Sequence, residues 1–238
     1  MMKTKALFLC GILSFAAVTA TYGQGTFNEN TKVTLSKKTT SVNTKDMDIP
    51  DIKIVPKREM TGGQQGADLG LSVLWATSNI DANNAGGYYG RIVAWGELNE
   101  KGSYTQSNSE HYGIPRNDIS GNVNQDAAAR RWGNGWRLPT EKEMKELREK
   151  CVWTWSHESG RDGYLVVSKI NGNYIFLPAV GINRSNSITE MNKRGYYWTS
   201  TPAGNHNSAY RLSFDENGIN ILEGSRFEGC YIRAVRSK

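Results

Sequence analysis

The chain is 238 residues long, with 38% hydrophobic and 22% charged residues, a globular composition with room for one large or two small domains. Its net charge of +6 is not clustered: residues 1–23, 24–65 and 66–238 each contribute +2, so the longest part is nearly neutral and shows no Lys/Arg block of the kind nucleic acid requires. Seven Trp and eleven Tyr are ample for a sizeable core.

Residues 1–23 read as a secretory signal: Lys3 and Lys5 lead, Ala6 to Val18 is apolar, and small residues follow. The apolar run is too short for a comfortable membrane span, so no stable span is expected once the signal is removed. Cys10 sits inside that run and is expected to leave with it. Residues 24–65 are rich in Thr, Lys, Asn, Ser and Asp and poor in large apolar groups, the composition of a polar tether. Within them, Asp48 to Pro56 alternates briefly and could lie as a short strand on a sheet edge, although Pro50 and Pro56 restrict its pairing.

A folded domain is expected over 66–238. Leu69, Leu71, Val73 and Trp75 alternate with Gly70, Ser72 and Leu74, the period of a half-buried strand. Tyr88 to Trp95 is a second candidate strand, entered through Gly86-Gly87. Residues 99–123 are polar and read as a long loop, a feature that in compact domains is functional or disordered. Asn124 to Trp132 reads as a short helix whose Ala127, Ala128 and Ala129 allow close packing.

The next helix carries the clearest local signal. Pro139 keeps Leu138 out of the helical region, and Thr140 with Glu143 makes a capping box, so a helix is expected from Glu141 to about Cys151. Short strands follow at 164–167, 174–177 and 196–199, with Asn171-Gly172 as a hairpin signal between the first two. Tyr210 to Phe214 and Ile219 to Leu222 flank Asp215-Glu216-Asn217-Gly218 as another hairpin, and Tyr231 to Val235 closes the chain as a strand. One or two helices followed by short antiparallel strands define an α+β class.

Few patterns point to chemistry. His111, His157 and His206 lie in separate polar stretches with no nucleophile motif around them. There is no Cys-x-x-Cys, His-Glu-x-x-His or spaced-Asp calcium loop, so neither cofactor nor metal is expected. Gly133-Asn134-Gly135 lacks the Lys-Ser/Thr of a phosphate cradle and reads as a tight turn. Cys151 and Cys230 remain after the signal; a bridge and two separate buried thiols are both open from their spacing. Candidate recognition surfaces are two late loops. One contains Asn205, His206 and Asn207 followed by Tyr210 and Arg211; the other, Gly224 to Gly229, contains Arg226 and Glu228.

Ordered blocks point to a family. Asp68 to Val73, Trp75-Ala76-Thr77, Ala94-Trp95-Gly96-Glu97, Asp126-Ala127-Ala128, Trp136 to Thr140, Trp153-Thr154-Trp155, Ile175 to Ala179, Tyr197 to Thr201 and the closing Ile232 to Val235 resemble, in that order, the FISUMP (major paralogous domain) family of exported bacterial proteins. The resemblance covers about residues 67 to 236 and implies a C-type lectin-like fold, distantly similar to the formylglycine-generating enzymes. It also implies a disulfide between Cys151 and Cys230, closing a loop of about 80 residues worth roughly 4 kcal/mol. Ser78 stands where the family often has Cys, so a second bridge is not expected. The calcium motifs of sugar-binding lectins do not occur, and Cys230 lacks the neighbouring Cys of the formylglycine-generating enzymes. The expected function is therefore a non-enzymatic, exported module, periplasmic, cell-surface or secreted, that binds a glycan or protein through its C-terminal loops. The alternative is a structural or adhesive subunit of a surface assembly, followed by an enzyme of the formylglycine-generating type.

Overall fold

The computed structural model describes residues 65–82 and 87–238. The signal at 1–23, Cys10, the tether to residue 64 and its Asp48 to Pro56 segment, and Gly86 of the expected turn, lie outside the described residues. The described residues belong to one compact unit.

Two helices occur among the described residues. Helix α1 (Ala127–Trp132) is capped by Asp126, whose side chain accepts from Ala128 N and Ala129 N. Helix α2 (Glu141–Lys150) starts where the capping box puts it: Thr140 Oγ1 accepts from Glu143 N at 3.2 Å and Glu143 Oε2 accepts from Thr140 N at 2.8 Å. Arg137 clamps the same carboxylate with both terminal nitrogens, at 2.9 and 2.6 Å. Helix α2 buries Met144 and Leu147, and it ends because Cys151 turns extended and passes directly into a strand.

Thirteen short strands occur among the described residues. The first three are β1 (Gly66–Ala67), β2 (Val73–Ala76) and β3 (Ile92–Val93). After α2 come β4 (Cys151–Glu158), β5 (Arg161–Ser168), β6 (Tyr174–Pro178), β7 (Val180–Arg184), β8 (Ser187–Met191), β9 (Gly195–Pro202), β10 (Ser208–Asp215), β11 (Gly218–Ser225), β12 (Cys230–Tyr231) and β13 (Val235–Ser237). The class is α+β, with strand predominating. Strands β4, β5 and β6 form one antiparallel sheet, and β1, β2 and β13 a second that joins the two ends of the described chain. The largest sheet runs β11-β10-β9-β12-β3, with β7 parallel to β9 and β8 paired to β7.

Several expectations are narrowed or extended. The strand expected over 69–75 is regular only from Val73, because Asp68 accepts from Gly70 N in a turn and Ser72 N is taken by Glu146. That expected over 88–95 contracts to β3. The closing strand splits in two: Ile232 and Ala234 carbonyls bond to Ile80 N and Ala76 N, carrying the chain from the large sheet to the terminal one. Arg233 secures this crossing by donating to Ala76 O, Asn79 Oδ1 and Phe176 O. Strands β1, β4, β7 and β8 lie outside the expected strands.

The Cys151–Cys230 bridge is corrected: both thiols are free and buried. Cys151 heads β4 and packs in a core with Met144, Leu147 and Val166, whereas Cys230 in β12 packs in a second core with Trp95, Trp198 and Ile232. The direct passage from α2 into β4 places Cys151 in the small sheet, whereas Cys230 lies in β12 of the large sheet. Burial pushes each thiol up to about 12, which disfavours the thiolate form.

Candidate functional site

Trp75, Trp95, Trp136 and Trp198 are all buried. Above Trp95 the long loop, the β9–β10 loop and the β11–β12 loop meet on one face. The long loop contains one short 3-10 turn (Gln106–Asn108) and is held by side-chain bonds to backbone and by backbone bonds to Ser185, Ser200 and His206. Buried Glu97 accepts from Glu110 N at 3.0 Å and pairs with Lys101 at 2.8 Å. Asn108 closes the turn through Thr105 N and Ser103 O. A Cβ at Gly96, whose φ is +81°, would fall on the His111 ring, so glycine is needed for this approach.

Arg226 is the tie between the loops. It is 0% exposed, lies 4.4 Å from the Trp95 ring centroid, and donates to Ser208 O at 2.9 Å, Ile114 O at 2.8 Å and His111 O at 3.3 Å. Its own backbone adds Arg226 N to Asn207 O and Trp95 N to Arg226 O, both 2.9 Å. Gly113 N donates to His206 O at 3.0 Å, joining the long loop to the β9–β10 loop. The Arg226 Nη2 group is buried with no acceptor, a state that costs about 1–3 kcal/mol. Burial first, and then the charge of Arg116, lowers the Arg226 pKa from its ordinary value.

His111 stands edge-on to Trp95, 6.5 Å between ring centroids. Arg116 Nε donates to His111 Nδ1 at 3.1 Å, which makes Nδ1 an acceptor and the ring neutral. Burial and then the Arg116 charge lower the His111 pKa in the same sense. On the outside of this face Tyr112 and Phe227, both half-buried, pack edge to face at 5.5 Å, beside exposed Ile114, Asn205, His206 and Asn207.

A second buried cluster lies elsewhere on the large sheet. Arg211 Nη1 pairs with Glu228, and Glu228 also takes Arg184 Nε at 2.6 Å. The Arg211 guanidinium lies 5.0 Å from the Tyr196 ring and 5.6 Å from the Trp198 ring. Gly224 leaves the space that this guanidinium fills.

The expected ligand-binding set therefore divides. Asn205, His206 and Asn207 are exposed and brought together with the long loop. Tyr210 is half-buried on β10. Arg211, Arg226 and Glu228 are corrected from surface contacts to buried ties, because cations flanked by indole rings and backbone acceptors were withdrawn from solvent. The expected set omits Tyr112, Ile114 and Arg116 and holds Phe227 only within the Gly224 to Gly229 loop; the aromatic residues within the polar loop stretches were the available signal. His157 Nδ1 lies 2.8 Å from Asp162 Oδ1 on an exposed hairpin remote in sequence from this face. Asp215 to Gly218 is the β10–β11 turn, with Asn217 N donating to Asp215 Oδ1 at 2.9 Å.

Among the described residues no three His, Cys, Asp or Glu side chains cluster as a metal site, and no helix is long and apolar enough to cross a membrane. No family model matches the chain, nor does any curated protein or solved structure.

Proposed function

We propose that the chain is a non-enzymatic, exported binding module of the FISUMP type, with a C-type lectin-like domain, that recognises a glycan or protein through the face above Trp95. The observation that carries this reading is Arg226: its side chain and backbone hold three loops in one arrangement before any ligand arrives, and preorganised loops lose little entropy on binding. The paired rings of Tyr112 and Phe227 beside three exposed polar side chains favour a sugar, whose C–H face stacks on aromatics while its hydroxyls meet amides. Chemistry of the formylglycine-generating type would need reactive cysteines, and both thiols are buried in separate cores with raised pKa.

A second reading, an adhesive or structural subunit, draws on the small sheet. Val152 and Tyr174 are 51% and 39% exposed, and both flank Val167 across the same sheet register. Such an apolar strip suits another protein surface. A glycan array and a surface-protein array, probed with the wild type and with Tyr112→Ala/Asn205→Ala/His206→Ala, test the leading reading. Binding lost in the variant, with unchanged unfolding, supports it; binding equal in both rejects the loop face.

A further inference from the structure

Resting on that reading, we propose that the ligand presents an anionic group, a carboxylate or sulfate carried on a glycan, and that Arg116 is the residue that grips it. Arg116 is partly exposed, and its Nε bond to His111 Nδ1 orients the guanidinium against a neutral ring. Its terminal nitrogens meet no acceptor among the described residues. Ile114 O, two residues away, is bonded to Arg226, so the two guanidiniums are neighbours, and each is without an ion-pair partner among the described residues. Arg226 itself donates to three carbonyls and meets no carboxylate among the described residues, with its Nη2 buried and without an acceptor.

The nearby carboxylates are engaged otherwise or free in solvent. Glu97 is committed to Lys101 and Glu110 N. Asp118 accepts from Thr201 Oγ1 and Ser120 N. Glu223 accepts from Asn205 Nδ2. Glu110 is exposed and has no ion-pair partner among the described residues, but it acts on His111 with the opposite sign to Arg116. A carboxylate or sulfate fits the guanidinium fork with two parallel N–H donors, and the Arg226 charge beneath strengthens its attraction. The rings of Tyr112 and Phe227 would carry the sugar to which that group is attached.

The test is surface plasmon resonance of the full chain on polygalacturonate, dextran sulfate and plain dextran at one ionic strength. The expected result is binding to at least one acidic polymer, about tenfold or more above dextran, and a loss of about tenfold to a hundredfold in Arg116→Gln. Arg116→Lys should retain part of the affinity, since it keeps the charge and loses the fork. Lys193→Gln, which removes an exposed charge from the turn before β9, should change nothing. Polygalacturonate alone marks a carboxylate, and dextran sulfate alone a sulfate. Equal binding to dextran, no binding to either acidic polymer, or an unchanged Arg116→Gln overturns the inference. If Arg116→Gln is unchanged while Tyr112→Ala/Asn205→Ala/His206→Ala loses a neutral glycan, the anionic inference falls and the binding reading stands.

Discussion

Arg211 and Arg226 are both buried against tryptophan, yet their charges are met in opposite ways. Arg211 faces Glu228, which Arg184 also grips while reaching Glu190, so each guanidinium meets a carboxylate. Arg226 faces three carbonyls and no carboxylate, and its nearest charged influence is another arginine. The first arrangement fixes strands β10 and β7 to the last loop through ion pairs, with Arg211 Nε left without an acceptor. The second fixes three loops and leaves positive charge uncompensated below a surface that a ligand can reach. A buried ion that structure alone has not matched is the better guide to where binding energy is to be gained.

The largest expected effect breaks the uncompensated tie. Arg226→Met leaves the carbonyls of His111 and Ile114 without their donor and should cost about 3–5 kcal/mol in urea unfolding. A loss under about 1 kcal/mol would mean that the loops are held by other means. Glu228→Gln, which strands Arg211 opposite a neutral amide, should cost about 2–3 kcal/mol. Here the two clusters diverge: Arg211→Met/Glu228→Leu should recover much of that loss, because a balanced pair can be replaced by packing, while Arg226 has no partner whose removal would compensate.

Smaller effects belong to helix α2. Thr140→Ala should cost about 1 kcal/mol by opening the capping box. Burial opposes ionisation of Glu143, but its bonds from Arg137 and Thr140 outweigh this and hold its pKa below the ordinary 4.5. A depressed folded-state pKa gives stability that is present above the unfolded value and lost as pH falls through the folded one. The stability difference between wild type and Glu143→Gln should therefore be full near pH 6 and shrink as pH falls below 4.5. Smallest of all, reduction should leave the intact mass unchanged, with Cys151 and Cys230 reacting with thiol reagents only on unfolding; a mass change of two hydrogens would restore the bridge.

Local signals were legible and long-range ones were not. Thr140, Glu143 and Pro139 define the start of α2 within four residues, and Asn171-Gly172 marks the β5–β6 turn, because capping and turn geometry are decided by neighbours in sequence. The Trp153-Thr154-Trp155 block belongs to β4, but its half-buried alternation follows directly on a helix with no intervening turn residue to announce it. Strand β8 is largely exposed and carries little apolar pattern. The polarity of the loop between β9 and β10 was readable, and Asn205, His206 and Asn207 are exposed there. The burial of Arg211 and Arg226 was not, since it depends on Trp95, Trp198 and carbonyls brought from remote segments. The resemblance supplied a bridge between Cys151 and Cys230 that the two separate cores do not form.

Hydrogen exchange of the full chain, free and saturated with whichever glycan the array returns, puts the loop face directly at stake. Added protection is expected in residues 105–116, 204–207 and 226–228 together, because one set of ties holds them. Protection confined to β4, β5 and β6 around Val152 and Tyr174, with the three loops unchanged, would contradict it and move the binding surface to the small sheet.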